Sequence, residues 1–210
     1  MAAVNDAGTV ISALVITASN RAAAGVYPDR SGPVLAELLG TAGCAVDGPV
    51  VVPDGEPVEA ALRSALADGY DVVVTTGGTG LTPGDLTPEM TRRVIEREVP
   101  GIAEALRAAG AAAGVPSAIL SRGVAGVAGR TLIVNLPGST GGVRDGMAVL
   151  GPVLGHAISQ IQGGDHPRPD LRTASPGGRS GSCGGDARAR RRTPPPTAKG
   201  KQSDHAENES

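Results

Sequence analysis

The sequence predicts an α/β fold: a mostly parallel central sheet between two layers of helices, with a short β-hairpin. Two observations predict it. Nearly continuous apolar runs, VISALVIT at 10–17 and VVVTT at 72–76, suit strands buried on both faces of a parallel sheet. Amphipathic segments of ten or more residues separate these runs, which gives the strand–helix–strand alternation of such sheets.

The elements follow in order. Residues 1–8 form a loose lead-in. Val10–Thr17 is the first strand, and a polar loop, SNRAAAGVYPDR, spans 19–30. Ser31-Gly32-Pro33 opens a helix with Val34, Leu35, Leu38 and Leu39 on one side, ended by Gly43. Ala45–Val52 is the second strand and stops at Pro53-Asp54-Gly55. A helix from Pro57, capped by Glu56 or by Asp54, places Val58, Ala61, Leu62, Ala65 and Leu66 at spacings of three and four. Gly69 closes it, and Asp71–Thr76 is the third strand.

Thr87 is the expected cap of the next helix, with Pro88 as its first residue. Met90, Val94 and Ile95 mark its face up to the break at Pro100-Gly101. Ile102–Ala113 resumes helical. Ser117–Arg122 and Val124–Val127 read as short strands, and Arg130–Leu136 as a longer one before Pro137-Gly138-Ser139. Ser139 or Thr140 caps a final helix bearing Val143, Met147, Leu150, Leu154, Ile158 and Ile161 on one stripe. Gly151-Pro152 predicts a kink or a break within it. The folded domain therefore spans 9–164. Residues 165–210 change composition to Pro, Gly, Ser and Arg, with RARRR at 188–192 and PPP at 194–196, and read as a disordered tail.

Composition narrows the function. Residues 1–164 hold 10 Arg, no Lys and 15 Asp plus Glu, a net charge of −5, whereas the tail is +3. A body at −5 has no bulk attraction for nucleic acid or an anionic membrane. With no Trp, no Phe and two Tyr, it also lacks the aromatic platforms of single-strand-binding grooves. Cys44 and Cys183 form no metal-binding or disulfide pattern. No charged leader and no long apolar segment occur, which predicts a cytoplasmic protein.

The chemistry concentrates at strand ends. Thr76-Gly77-Gly78-Thr79-Gly80 follows the third strand, where successive backbone N–H groups can face one anion; an ordinary tight turn is the alternative. Asp85 stands five residues on. A carboxylate beside a phosphate site repels it unless a cation intervenes, and Mg²⁺ is the usual one. Capping of the Pro-Gly-Asp turn is the alternative role. Asp54 ends the second strand at the same expected edge. Asn135-Leu136-Pro137-Gly138-Ser139 repeats the device, and Ser121-Arg122 adds a hydroxyl and a cation. The body has one histidine, His156, and no nucleophile motif. That suits a reaction in which one substrate supplies the nucleophile and the protein positions and neutralises phosphates.

TTGGTGLTPGDLTPE at 75–89, PDRSGP at 28–33, VVPDGE at 51–56, ILSRGVAGVAGRTLIVNLPGS at 119–139 and HAISQIQG at 156–163 together resemble the Mog/MoaB family. Its molybdopterin-binding fold serves molybdenum cofactor biosynthesis and recurs in gephyrin and the plant enzyme. The resemblance covers about residues 9–164. It implies adenylyl transfer from Mg-ATP to the terminal phosphate of molybdopterin, with Asp54 and Asp85 as the essential, metal-holding acids. It implies pterin and phosphate contacts from Thr76–Gly80, Thr87, Ser121, Asn135 and Pro137–Ser139. It further implies a homotrimer and a molybdate-insertion enzyme as pathway partner. Where many relatives have Ser-Asp after the first strand, this chain has Ser19-Asn20, which keeps an oxygen acceptor and loses a charge. Two other readings are a non-catalytic molybdopterin-binding protein of the MoaB type and a nucleotide pyrophosphatase.

Overall fold

The computed structural model describes Gly8 and residues 10–164. The expectations for the rest of the lead-in and for the tail lie outside these residues.

Six strands form one sheet in the order β2-β1-β3-β6-β5-β4. They are β1 (Ser12–Ala18), β2 (Ala45–Val52), β3 (Val72–Thr76), β4 (Arg97–Glu98), β5 (Ala125–Ala128) and β6 (Thr131–Leu136). The first four in that order run parallel, and β5 lies antiparallel to both β6 and β4. β5 and β6 are the expected hairpin, turning at Gly129-Arg130, where Gly129 has φ +55°.

The central strands are mostly apolar and almost wholly buried because both faces are covered. Side chains alternate along each strand. Ala13 and Val15 of β1 and Val72 and Val74 of β3 join one core, with Leu35 and Leu39 of α2 (Ser31–Thr41) and Val143, Leu150 and Leu154 of α6 (Thr140–Ile161). Ile102 and Leu106 of α5 (Pro100–Ala112) pack on the same face. Leu14, Ile16 and Val73 point the other way, against Val58 and Leu62 of α3 (Glu56–Asp68) and Met90 of α4 (Thr87–Arg92). Each fully buried Leu, Ile or Val contributes about 1.5–3 kcal/mol, so a large core forms without Phe or Trp.

This winding positions the site. The chain leaves β1 toward α2 on one face and leaves the adjacent β3 toward α4 on the other. A crevice opens between two such strand ends, and in open α/β sheets it is where ligands bind.

Several local expectations change. The polar loop after β1 contains a one-turn helix, α1 (Asn20–Ala23), because the Ser19 hydroxyl accepts from the Ala22 N–H. Leu86, not Thr87, occupies the cap of α4, and Thr87 and Pro88 are its first two residues. Gly55 at φ +89° takes the cap of α3, which moves Glu56 into the helix. The segment before Pro100 is not one helix: α4 stops at Arg92, and Arg97–Glu98 pair with β5 as an edge strand. Ser117–Arg122 is not a strand. Pro116–Leu120 form a 3₁₀ turn, since Pro116 cannot donate to a sheet ladder. Finally, α6 runs unbroken through Gly151-Pro152; its apolar stripe, packed along the whole helix, outweighs one missing hydrogen bond. The Ser139 cap holds, its hydroxyl accepting from Gly142 N–H at 3.0 Å.

Candidate active site at the carboxyl edge of the sheet

Four parallel strands end side by side, and their loops carry nearly every residue singled out above. Ser19-Asn20 follows β1, Asp54 follows β2, the glycine loop follows β3, and Pro137-Gly138-Ser139 follows β6. Two bonds pin the last two loops together. Gly77 N–H donates to Leu136 O at 3.2 Å, and the Thr76 hydroxyl donates to Pro137 O at 2.8 Å. Glycine is required here by contact as well as conformation. A Cβ on Gly77 (φ +95°) would overlap the Ala18 carbonyl, and one on Gly138 would stand 3.2 Å from Gly77 Cα.

Two cavities open at this edge, and Gly77 and Gly138 both line the larger. The first, about 600 Å³, is lined by Asn20, Arg21, Asp54, Gly77, Gly78, Asp85 and Gly138 among others. The second, about 370 Å³, is lined by Thr79, Gly80, Ser121, Asn135, Pro137 and Ser139, with Ala103, Leu106, Val115 and Leu120 as apolar walls. The structure thus brings Asp54 and Asp85 to one cavity with the first half of the glycine loop. It sends the second half to the other. Thr76 and Thr87 are fully buried and line neither.

Asp54 is electrostatically unusual. Its backbone N–H donates to Asn20 Oδ1 at 3.1 Å, while its own Oδ1 is buried without a hydrogen-bond partner. Burial, and then the charge of Asp85, push its carboxyl above the ordinary carboxylate range, against a smaller lowering from the Asn20 backbone N–H. Thr87 Oγ1 is also buried and unpartnered, and a Cβ on Gly78 would overlap both oxygens. Asp85 spends one oxygen on its own turn: Oδ2 accepts from Thr82 N–H at 2.9 Å and the Thr82 hydroxyl at 2.6 Å. The turn-capping role is therefore real and leaves the carboxylate on the cavity wall.

The donor set suits a hard cation shared with phosphates. Among the described residues no group of three or more His, Cys, Asp or Glu could hold a metal by itself. Two carboxylates with an orphaned, desolvated oxygen are the protein share that Mg²⁺ takes when phosphates complete its shell. Among the described residues neither cavity is lined by Lys, His or Cys. Cys44 is buried, and its thiol is pushed up to about 11 by that burial and by Asp71, so it is no nucleophile.

Two residues turn out to support the site. Arg122 clamps the glycine loop from outside: Nε donates to Gly80 O at 2.7 Å, another nitrogen donates to Asp85 O, and a third pairs with Glu89. Asn135 is 2% exposed, and its amide is fully used. Nδ2 donates to Thr75 and Thr91 hydroxyls at 3.0 Å each, and Oδ1 accepts from Val124 N–H at 3.2 Å. Sequence reading missed Asp29, which accepts from the Thr17 hydroxyl at 2.7 Å and from Ser31 and Gly32 N–H groups at 3.1 and 3.0 Å. The signal was present in Asp-Arg-Ser-Gly: an acid two residues before a helix start is placed to accept from its first amides.

Fold and site together define a doubly wound α/β domain with an acid-bearing cleft at the carboxyl edge of its sheet. The model of the probable molybdopterin-binding domain family matches residues 14–156. The chain belongs to that family, and to molybdenum cofactor biosynthesis. A bifunctional molybdenum cofactor biosynthesis protein of Chlorobaculum tepidum is 40% identical over 154 residues, which cover 72% of this chain and 49% of that one. This chain thus spans about half the length of that relative. A protein of Helicobacter pylori named molybdopterin adenylyltransferase is 36% identical, over 71% of this chain and 86% of its own. The solved structure of the molybdopterin biosynthesis Mog protein from Mycobacterium ulcerans matches with TM-score 0.69 and 50% identity, over 74% and 99% of the two chains. Among the described residues no helix is long and apolar enough to cross a membrane.

Proposed function

We propose that this protein transfers an adenylyl group from Mg-ATP to the terminal phosphate of molybdopterin. A phosphate oxygen of the pterin attacks the α-phosphorus of ATP, the bond from that phosphorus to the β-bridging oxygen breaks, and pyrophosphate leaves. The observation that carries this reading is the pair Asp54 and Asp85 on one cavity wall beside Gly77-Gly78, with Asp54 Oδ1 desolvated and unpartnered. The absence of Lys, His and Cys from both cavity walls agrees with a nucleophile brought by the substrate.

The two cavities fit two substrates. The larger, acid-bearing one takes the nucleotide, and the smaller one, apolar with Ser121, Ser139 and Thr79 at its walls, takes the pterin. Their reacting phosphates meet along the glycine ridge, whose bare backbone permits close approach. Asp54 and Asp85 would hold Mg²⁺, which supplies charge neutralisation on the phosphates when bound. Asn20 holds Asp54 in place, and Arg122 holds the loop that carries Asp85. Positioning and neutralisation supply most of the catalysis in phosphoryl chemistry. A homotrimer, a cytoplasmic location and a molybdate-insertion partner complete the reading by family resemblance.

The test mixes the purified chain with molybdopterin and Mg-ATP. Pyrophosphate release that depends on molybdopterin supports the transferase. Pterin binding without release identifies a carrier, and hydrolysis of an ADP-ribose-like substrate identifies a pyrophosphatase. Asp85→Asn is expected to keep pterin binding and lose adenylylation; an equally active variant would remove its metal role.

A further inference from the structure

Arg21 lines the acid-bearing cavity on the segment that joins β1 to α2. Its guanidinium carbon lies 4.0 Å from the centre of the Tyr27 ring, and one of its terminal nitrogens donates to the Tyr27 hydroxyl at 2.6 Å. Stacking and hydrogen bond together hold the fork in one orientation. Among the described residues, no carboxylate pairs with Arg21, and its other N–H groups have no protein acceptor. Asp29 on the same wall is spent on Thr17, Ser31 and Gly32. Asp54 and Asp85 form no ion pair with Arg21 either. Among the described residues Arg30 is the other cation on this wall and is likewise without an acid partner.

A cation that ignores three acids in its own cavity, yet is immobilised on an aromatic shelf, is placed for an anion that arrives with the ligand. In a body without Lys, Arg is the only side chain that is always cationic, and its planar fork suits bidentate phosphate recognition. Arg21 is also next in sequence to Asn20, which holds the Asp54 backbone. A phosphate chain whose near end is at the acids can therefore reach Arg21 with its far end.

We propose that Arg21, held on the Tyr27 ring and assisted by Arg30, is the binding group for the diphosphate end of the nucleotide, the part that departs as pyrophosphate. This assignment rests on the nucleotide occupying the larger cavity. It makes Arg21 a specificity group for di- and triphosphates over monophosphates. It also gives the leaving group a fixed counter-charge as its bond to the α-phosphorus breaks.

The chain has two tyrosines and no tryptophan, so a Tyr70→Phe background leaves Tyr27 as the sole fluorophore. Tyr70 lies elsewhere, bonded to Asp47. In that background, Mg-pyrophosphate is expected to change tyrosine emission saturably without molybdopterin. Arg21→Ala should weaken Mg-pyrophosphate by about tenfold and change AMP affinity by less than about twofold. Arg21→Lys, which keeps charge and loses the fork, should fall between. Melting curves establish that each variant folds, and Arg21→Lys serves if Arg21→Ala does not. Pyrophosphate affinity unchanged in both variants, equal losses for pyrophosphate and AMP, or no pyrophosphate binding by the parent would each overturn the assignment. Because the titration omits molybdopterin, the subsite can stand or fall independently of adenylyl transfer.

Discussion

Asn20 Oδ1 accepts the backbone N–H of Asp54 at 3.1 Å, and this one bond ties the loop after β1 to the loop after β2. Its chemical form matters. An aspartate here would offer the same acceptor and add a third negative charge beside Asp54 and Asp85. Asn20 thus holds Asp54 without raising further the electrostatic cost of ionising it. Asn20→Asp is expected to weaken folding in metal-free buffer, with recovery on adding Mg²⁺ and ATP. Paired thermal melts with EDTA and with Mg-ATP check this, and identical melts for parent and variant in EDTA would refute it.

The same cost gives Asp54 a pH signature. Its folded-state pKa is raised, so between the unfolded and folded values the native state binds more protons than the unfolded state. Stability contributed by this group is therefore greatest in acid and falls as pH rises through that window. Asp54→Asn removes the penalty. The variant should melt higher than the parent at pH 7 in EDTA, and the gain should vanish toward the ordinary carboxylate pKa of 3.8. Its adenylylation should be lost at every pH. A variant less stable at pH 7 than the parent would contradict the desolvation account.

Gly78 is where backbone, acid and hydroxyl meet. It has φ +61°, and a Cβ there would overlap Asp54 Oδ1 and Thr87 Oγ1. Gly78→Ala should cost about 1–3 kcal/mol in urea denaturation and abolish Mg-ATP binding by displacing Asp54. Gly141 is an inner control, since a Cβ there meets nothing within 4 Å, and Gly141→Ala should fold normally.

Arg122 acts through two bonds to the loop it grips and a third to Glu89 of α4. Arg122→Ala leaves Glu89, one of whose oxygens is already buried and unpartnered, without its cation. The expected loss is about 1–3 kcal/mol, reduced by partial exposure of the pair. Arg122→Ala with Glu89→Gln should recover part of it. A double-mutant cycle in urea measures the coupling, and a cycle without coupling would show that the grip is not mediated by this pair.

Asn135 supports the wall of the second cavity. Asn135→Ala unpairs Val124 N–H and the Thr75 hydroxyl inside the core and leaves the Thr91 hydroxyl only its bond to Thr87 O, at an expected cost of about 2–4 kcal/mol. Asn135→Asp, similar in shape, keeps the acceptor and loses both donors. If Asn135 acted only on the ligand, neither variant would melt lower without it.

Much of the fold was legible because burial on both faces writes an unbroken apolar run, as in β1 and β3, and because glycines close the helices at Gly43 and Gly69. Local competitions were not legible. Whether Arg97–Glu98 pair at an edge depends on β5, which is distant in sequence, and the turn at Ser19 is a local choice between loop and helix settled by its bond from Ala22 N–H. The 3₁₀ turn at Pro116–Leu120 is a like case: its apolar residues read as a strand, but it joins no strand of the sheet.

For the site, sequence alone determined the chemical parts: two acids at strand ends, glycines where a backbone must come close, no Lys, and a cap at Ser139. These follow from residue type and local spacing. Only the tertiary structure decided how the parts are shared out. Strand order sets Asp54 across from Asp85 although they are far apart in sequence. The glycine loop is shared between two cavities, Gly77-Gly78 on one wall and Thr79-Gly80 on the other. Arg122 and Asn135 are directed into hydrogen bonds with the fold itself. The reason is physical: a side chain's partners are fixed by whichever donors and acceptors the sheet brings within about 3 Å, and that distance is set by packing, not by sequence neighbours.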